Sequence, residues 1–376
     1  LVVLAFYFNR QLDTLLHTDP GYRTENILVA HLAHESKDYS SYQNPEDIQA
    51  RVQRVKQLGA KMKACPDIEY WVADQSALTS SDFGMKFIGN NGRTAFLYMW
   101  YANPSFFRLY ELRFVEGTLP SMEEEEDWDR EYYVVNRAAL KELGYDSCQG
   151  ATLMYEDDKM RAQNPEAHPI VAVIDDYYDG HISAGVHPMV FVVRRGSSGD
   201  LYTLSYRPGR LAAVMDYLKK VEREIYGTEE FEYTLFSDQV KQMYAADRRM
   251  AMLYTSFAFI AIVVSCLGLF GISLFDIRQR YREIAIRKVN GAMLKDLYVL
   301  LLRRYVGMLL LAAVVAVPLA WLAIHYYTAD LVVKAPVTVG LFLAAFLIVA
   351  VISVATLLWQ VNKASRINPS EVMKSE

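Results

Sequence analysis

The sequence has few cysteines and none of the motifs that mark common catalytic sites. Its 376 residues include three cysteines, Cys65, Cys148 and Cys266, without a CxxC motif or the spacing of zinc ligands. Two cysteines outside the apolar runs do not make a disulfide framework, although Cys65 and Cys148 can pair if their domain is extracytoplasmic. The GxSxG, P-loop and HExxH motifs are also absent. The sequence therefore predicts no catalytic residues, and any ATP must be bound elsewhere.

Charge is missing from three long hydrophobic runs near the C-terminus. Residues 250–275, 305–327 and 335–362 contain no Asp, Glu, Lys or Arg, and each exceeds the ~20 residues that cross a bilayer. These runs are predicted to be transmembrane helices. Pumps and secondary transporters usually place ionisable groups inside the membrane. The absence of such groups disfavours an ion or proton path through these helices.

Basic residues are concentrated between the first two runs. Residues 276–304 contain eight basic and three acidic residues, whereas the next loop, 328–334, contains one basic residue. The positive-inside rule places 276–304 and the tail 363–376 in the cytoplasm. Residues 1–275 carry 27 basic and 38 acidic residues, a balance that fits an extracytoplasmic domain. No basic cluster with interleaved aromatic residues indicates nucleic-acid binding.

The N-terminus is apolar but too short to span a membrane. LVVLAFYF, residues 1–8, is less than half of the ~20 residues required. We expect residues 1–9 to be the end of a truncated transmembrane helix whose N-terminal part is missing.

Residues 10–249 alternate between strand and helix patterns. One helix is predicted over 44–64, with Val52 and Met62 on its apolar face, and another over 209–226. The predicted strands span 26–32, 68–73, 93–102, 132–136, 169–175, 187–193, 200–206 and 231–236. The predicted fold class is an α+β extracytoplasmic domain plus an α-helical transmembrane bundle, with three complete spans and one truncated N-terminal span.

Clustered histidines and acids are the candidates for a metal site in this sequence. The spacings of the histidines and nearby aspartates fit no ligand motif; these residues are His168, His181, His187, Asp175, Asp176 and Asp179. The acidic run 123–127 is typical of a solvated loop, and its sequence predicts no ordered oxygen cage for calcium. We therefore expect no metal site.

Two segments have patterns that suggest packing or docking. Gly268 and Gly271 offer a small surface for close helix packing, although glycine is also simply common in membrane spans. Between Tyr281 and Val289, isoleucines stand among charges, and the following Asn-Gly is a good helix end. This predicts a short amphipathic helix at the inner membrane surface. The alternative is a loop that is basic only to fix the topology.

The segment YREIAIRKVNGA, residues 281–292, resembles the one that follows the second membrane helix in FtsX/MacB-type ABC transporter permeases. The resemblance extends back through SCLGLFGISLFDIRQR and forward to NKASRINPSEVMKSE. The soluble region is similar to the MacB-like periplasmic core domain, with traces at 103–120, 134–144 and 169–178. The start FNRQLDTLLHTDPGY resembles the second half of a tandem permease.

This resemblance implies a mechanism and its partners. Such permeases pair with a second permease half or form a homodimer, and they bind cytosolic ABC ATPase subunits that hold ATP and Mg²⁺. Closure of the ATPases moves the outer domain, which is called mechanotransmission. The coupling helix corresponds to Tyr281–Ala292. The implied ATPase-coupling residues are Glu283, Arg287 and Lys288 for polar contacts, and Ile284 and Ile286 for insertion into a groove.

We therefore expect a non-catalytic permease subunit of the inner membrane, with no cofactor of its own and a large periplasmic domain that can meet a periplasmic partner. The ATPase is either a separate subunit or part of a missing N-terminal region. The expected domains are 1–9 (truncated helix), 10–249 (periplasmic core), 250–275, 305–327 and 335–362 (spans), 276–304 (cytoplasmic loop with the coupling helix) and 363–376 (cytoplasmic tail).

Two other functional classes were considered. The alternative is a transmembrane sensor whose outer domain binds a ligand or regulates a cell-wall hydrolase. A membrane-anchored hydrolase is disfavoured because the sequence contains no catalytic constellation.

Overall fold

The protein is described by a computed structural model for residues 1–32, 45–78, 83–119, 132–193, 200–279, 294–329 and 331–365. It divides into two compact units. The membrane unit comprises Leu1–His17 and Ala245–Glu376, and the soluble unit comprises Thr18–Tyr244. The predicted fold class, an α+β domain with a helical membrane bundle, is confirmed.

The elements are numbered in chain order. The helices are α1 (Val2–His17), α2 (Pro45–Ala64), α3 (Pro104–Leu109), α4 (Arg137–Glu142), α5 (Asp158–Gln163), α6 (Leu211–Tyr226), α7 (Phe236–Met243), α8 (Ala245–Gln279), α9 (Leu294–Tyr327) and α10 (Val339–Ser365). The strands are β1 (Ile27–His31), β2 (Ile68–Ala73), β3 (Gly84–Gly89), β4 (Thr94–Ala102), β5 (Phe114–Gly117), β6 (Tyr132–Asn136), β7 (Thr152–Tyr155), β8 (His168–Ile174), β9 (Met189–Val193), β10 (Leu201–Tyr206) and β11 (Tyr233–Leu235).

Three helices of the membrane unit, α8, α9 and α10, are long and apolar enough to cross a membrane. The first two extend beyond their apolar runs, so the segment between them, expected at 276–304, is helical at both ends. Charged side chains end the apolar run but do not interrupt the backbone hydrogen bonds of a helix. In contrast, α10 begins at Val339, four residues after its apolar run starts, because Pro336 disfavours helical backbone at the residue before it.

The soluble unit contains a four-stranded antiparallel sheet with strand order β11-β1-β10-β2. Helices α2 and α6 contribute Leu58, Met62, Val214 and Leu218 to the hydrophobic core that forms on this sheet. Val52, predicted to share the apolar face of α2, is 45% exposed. That prediction is wrong because the residues that α2 buries in this core begin at Leu58, in the C-terminal half of the helix.

The second sheet of the soluble unit has seven strands in the order β5-β8-β6-β9-β4-β3-β7. Since β7 also pairs with β8, six of these strands close on themselves, with β5 outside the ring. One core lies on the α4 side of this sheet and includes Phe87, Leu97, Tyr133 and Leu153. Strands β3, β5 and β7, which are six, four and four residues long, were not predicted from the sequence.

Another aromatic core joins the two sheets within the soluble unit. Ile27 and Val72 belong to the four-stranded sheet, Phe191 belongs to the seven-stranded sheet, and Phe106 and Tyr110 come from α3 and its C-terminal end. The rings of Phe106 and Tyr110 lie 5.2 Å apart, and those of Phe106 and Phe191 lie 5.8 Å apart. Aromatic side chains bury large apolar areas, so this core holds the two sheets together.

Cys65 and Cys148 are both buried as free thiols. Cys65 packs in the core of the four-stranded sheet and Cys148 in the core beside α4. Burial, together with the hydrogen bond to Glu116, raises the pKa of the Cys148 thiol to about 11. The disulfide considered from the sequence is therefore not formed, because each thiol lies in a different core.

Gly117 provides a test of the seven-stranded sheet. Its φ is +68°, and a Cβ atom there would lie 2.1 Å from the Val171 carbonyl oxygen. Gly117→Ala should lower the free energy of unfolding of the soluble unit by about 3 kcal/mol, because steric overlap adds to left-handed backbone strain. Denaturant unfolding of the full chain in detergent measures this loss.

Gly150→Ala is the matched control. Gly150 also has positive φ, +74°, but a Cβ atom there would meet nothing within 4 Å. Gly150→Ala should therefore lower the free energy of unfolding by only about 1 kcal/mol, through backbone strain. Equal losses in the two variants would contradict the close approach of Gly117 to β8.

Candidate coupling site

The predicted coupling segment is bounded by two described helices. The five predicted ATPase-coupling residues lie outside the described part of the chain; they are Glu283, Ile284, Ile286, Arg287 and Lys288. Helix α8 ends at Gln279 and α9 begins at Leu294, so both helices lead directly into residues 280–293. The described part of the candidate site is therefore the set of contacts that hold these helix ends in place.

Four polar side chains meet near these helix ends, and we call them the inner-end cluster: Ser273, Asp276, Tyr305 and Gln360. Ser273 donates a hydrogen bond to Gln360 Oε1, and Gln360 Nε2 donates to the Phe270 carbonyl oxygen at 2.9 Å. Tyr305 donates to Asp276 Oδ2 at 3.0 Å. These bonds join α8 to α10 and to α9, respectively.

A second polar group, which we call the outer-end cluster, is formed beside the middle of α1 by Asn9, Arg10, Gln11, Thr255 and Thr338. Asn9 Nδ2 donates to Thr255 Oγ1 at 2.8 Å, which joins α1 to α8. Arg10 donates to Thr338 Oγ1 at 3.0 Å, just before α10 begins. These contacts hold α1 against α8 and against the segment just before α10.

Gln11 is the most buried side chain of the outer-end cluster, at 3% exposed. Its Oε1 accepts from the Ala335 backbone N–H at 2.6 Å, and its Nε2 donates to the Val333 carbonyl oxygen at 3.1 Å. One side chain thus satisfies a backbone donor and a backbone acceptor of the loop between α9 and α10. This loop is thereby fixed to α1.

Aromatic rings close the same end of the bundle. Phe8 stacks on Tyr254 with ring centroids 4.2 Å apart and meets Tyr327 edge-on at 4.8 Å. These contacts join α1 to α8 and α9. Tyr and Trp are enriched where membrane helices reach the interface, which agrees with placing this end of the bundle at a membrane surface.

Helix α8 is the longest of the described helices in the membrane unit. Its 35 residues extend ~52 Å at ~1.5 Å per residue. Gly268 and Gly271 lie within it, and a Cβ atom on either would meet no described atom within 4 Å. Within the described part of this chain, these glycines therefore make no close helix contact.

The clustered histidines of the soluble unit make local polar contacts. His187 Nδ1 lies 2.8 Å from Asp179 Oδ1, and His168 Nε2 lies 3.1 Å from Asn164 Oδ1. Among the described residues, no three His, Cys, Asp or Glu side chains are grouped so that they could hold a metal ion. The acidic run 123–127 lies outside the described ranges.

The segments of the soluble unit that resemble the MacB-like core domain stabilise the fold. The buried Asn136 accepts hydrogen bonds from the backbone N–H groups of Ala139, at 3.0 Å, and Met189, at 2.9 Å. Its Nδ2 donates to the His187 carbonyl oxygen at 2.8 Å. One side chain therefore caps α4 and joins β6 to the start of β9.

Asp175 has a similar structural role at the end of β8. It forms ion pairs with Arg113 and, at 2.9 Å, with Arg137. Partial burial alone would raise the pKa of Asp175, but the hydrogen bond and charge of Arg113 and the charge of Arg137 lower it. The next residue, Asp176, accepts from the Ala138 N–H at 2.9 Å. These acids therefore hold α4 in place.

The membrane unit matches a known family. Residues 255–369 match the family model described as FtsX-like permease C-terminal. This part of the chain is thus similar to the C-terminal domain of FtsX-like permeases, and the resemblance to FtsX/MacB-type ABC permeases noted in the sequence is confirmed. With three helices able to cross a membrane, the chain is a multi-pass membrane protein.

One curated relative is described as a probable export ATP-binding/permease protein of Pseudomonas fluorescens. It is 25% identical over 177 residues, which cover 46% of this chain and 27% of the relative. The chain thus spans about a quarter of the length of that relative.

Three solved structures are similar to this chain. The periplasmic region of MacB from Actinobacillus actinomycetemcomitans is 15% identical, with 61% of this chain and 96% of that chain covered and a TM-score of 0.37. A domain of a putative permease from Porphyromonas gingivalis is 14% identical, with 46% and 79% covered and a TM-score of 0.30. The extracellular domain of the ABC-type transporter YknZ from Gram-positive bacteria is 10% identical, with 56% and 100% covered and a TM-score of 0.37.

Most residues of the two polar clusters were not predicted from the sequence. Gln11 and Gln360 could have indicated the clusters, because an amide in or beside a membrane span must find hydrogen-bond partners within the protein. The sequence alone did not identify those partners, which lie 87 or more residues away along the chain.

Gln11→Leu tests the outer-end cluster. The substitution leaves the Ala335 N–H and the Val333 carbonyl oxygen without the side chain that satisfies them. The membrane unit should lose about 1 kcal/mol of stability, which thermal unfolding in detergent micelles can measure.

Gln279→Leu removes an exposed amide at the end of α8 and serves as the control. It should leave the melting temperature near that of the wild type. A Gln11→Leu variant as stable as the control would contradict the role of Gln11 in fixing this loop.

Proposed function

We propose that this chain is the permease subunit of a mechanotransmitting ABC transporter, which couples ATP hydrolysis by a cytosolic ATPase to motion of its periplasmic domain. The observation that supports this most strongly is the continuity of α8. One end of α8, Ala245, directly follows the last residue of the soluble unit, and the other end, Gln279, directly precedes residues 280–293. A displacement at the cytoplasmic end can therefore reach the soluble unit through a single helix.

The absence of charge from the spans supports motion rather than passage of a polar substrate between the helices. Between Arg249 and Asp276, α8 contains no charged residue, and the apolar part of α9 contains none after Arg304. Charged groups inside membranes usually mark ion or substrate pathways. Under this proposal, substrate is handled at the outer face, where the soluble unit moves.

Hydrolysis takes place on the ATPase partner, which binds ATP and Mg²⁺. Glu283, Arg287 and Lys288 make the polar contacts to that partner, and Ile284 and Ile286 occupy its groove. Basic residues next to apolar ones at the inner surface suit such a docking role, because complementary charge guides association and apolar anchors stabilise the bound state.

A second permease half, or a second copy of this chain, completes the transporter. Gly268 and Gly271 present an open surface on α8, with no described atom within 4 Å of a Cβ atom placed there. Small residues allow the backbones of two membrane helices to approach closely. We assign this surface to the contact with the partner permease.

Charge reversal tests the coupling segment. The double substitution Arg287→Glu and Lys288→Glu should weaken binding of the cognate ATPase at least about tenfold, because like charges would face each other at the interface. Co-purification and stimulated ATPase activity in nanodiscs measure the effect.

The control reverses two exposed arginines at the opposite end of α8, Arg248→Glu and Arg249→Glu, and should bind the ATPase normally. Wild-type binding by the Arg287/Lys288 variant would contradict the proposed docking segment. A wild-type chain that binds no ATPase but binds a ligand through its soluble unit would favour the sensor function instead.

A further inference from the structure

Gln360 lies near the cytoplasmic end of α10, in a span that is otherwise almost wholly apolar. Gln360 is 4% exposed, whereas the neighbouring Trp359 is 58% exposed. The amide therefore faces the protein rather than the lipid. A primary amide transferred into hydrocarbon without partners costs several kcal/mol, so its contacts determine which helix arrangements are favourable.

Those contacts are all made to one short stretch of α8. Gln360 Oε1 accepts from the Ser273 hydroxyl, and Gln360 Nε2 donates to the Phe270 carbonyl oxygen at 2.9 Å. Ser273 is itself 2% exposed. The Phe270 and Trp359 rings lie 6.1 Å apart beside this pair. Both ends of the amide are satisfied, so α10 is held at one register along α8.

This joint lies within two helical turns of the coupling segment. Ser273 is six residues before Gln279, where α8 ends and residues 280–293 begin. On the other side of that segment, Tyr305 joins α9 to Asp276 of α8 at 3.0 Å. The helices that enter and leave the coupling segment, α8 and α9, are therefore joined to each other, and α10 is joined to α8 through Gln360.

We propose that Gln360 is a positioning residue for mechanical coupling, which keeps α10 in register with α8 while the ATPase displaces the coupling segment. This inference rests on the proposed function. Without the joint, α8 slides against α10 and the displacement is absorbed inside the membrane unit. With the joint, α8 and α10 move as one body, and the displacement reaches the soluble unit.

A purely structural role would have a different outcome. If Gln360 only stabilised the bundle, its loss would lower the yield or the ATPase binding of the complex. If Gln360 positions α10, its loss leaves binding and hydrolysis intact and uncouples them from motion of the soluble unit. The two roles are separated by measuring hydrolysis and motion in the same sample.

The experiment uses the full chain with its ATPase in nanodiscs. Spin labels are attached at Lys220→Cys, on the exposed side of α6, and at Tyr326→Cys, which is 86% exposed at the end of α9. Cys266→Ala removes the native thiol that is not buried. The readouts are the change in label distance on adding ATP and the rate of ATP hydrolysis.

Gln360→Leu and Ser273→Ala are the test variants. Both should bind the ATPase and hydrolyse ATP within about twofold of the wild type, and both should lose at least half of the ATP-dependent distance change. Ser256→Ala is the matched control, because among the described residues the Ser256 hydroxyl bonds only to the Met252 carbonyl oxygen of its own helix, at 2.9 Å. Ser256→Ala should behave as the wild type.

The inference is overturned if Gln360→Leu and Ser273→Ala show the full distance change. It is also overturned if both variants lose ATPase binding along with the motion, since Gln360 would then have a structural role only. A wild-type chain that binds no ATPase and shows no distance change overturns the proposed function itself, together with the inference that depends on it.

Discussion

The constraint on which the membrane unit depends is that polar groups inside a bilayer must find their partners within the protein. Three amide side chains, Asn9, Gln11 and Gln360, meet this requirement at opposite ends of the bundle. Dispersion between apolar helices has little directional preference, because lipid tails compete for the same surfaces. The hydrogen bonds therefore fix which helix faces which and at what register. A bundle joined at both ends and apolar between them suits transmission of force better than passage of a polar solute.

The soluble unit solves a different problem, which is to hold many separate elements together around two sheets. Buried side chains such as Asn136 replace part of the missing backbone hydrogen bonding by capping a helix and bonding to a neighbouring strand. Asp175 adds ion pairs with two arginines from different segments. The motifs that resemble the MacB-like core domain therefore mark joints of the fold.

The sequence predicted the long features well because each depends on a pattern within one segment. The three charge-free runs and the helix that ends at Tyr226 were read from local composition. Prediction failed where structure depends on distant residues: the short β3, the exposure of Val52 and the bond between Ser273 and Gln360 are decided by tertiary packing. The coupling residues were predicted from a resemblance and still rest on it, because Glu283 and its neighbours lie outside the described residues.

The central claim is that the coupling segment and the soluble unit lie on opposite sides of the membrane, joined by α8. It is tested most directly by labelling intact cells with a membrane-impermeant maleimide, using single cysteines at Ala285 in the coupling segment and at Lys220 in α6. The account predicts that the cysteine at 220 reacts once the outer surface is accessible, while the cysteine at 285 reacts only after the cytoplasmic side is opened. Labelling of both positions from the same side would contradict it.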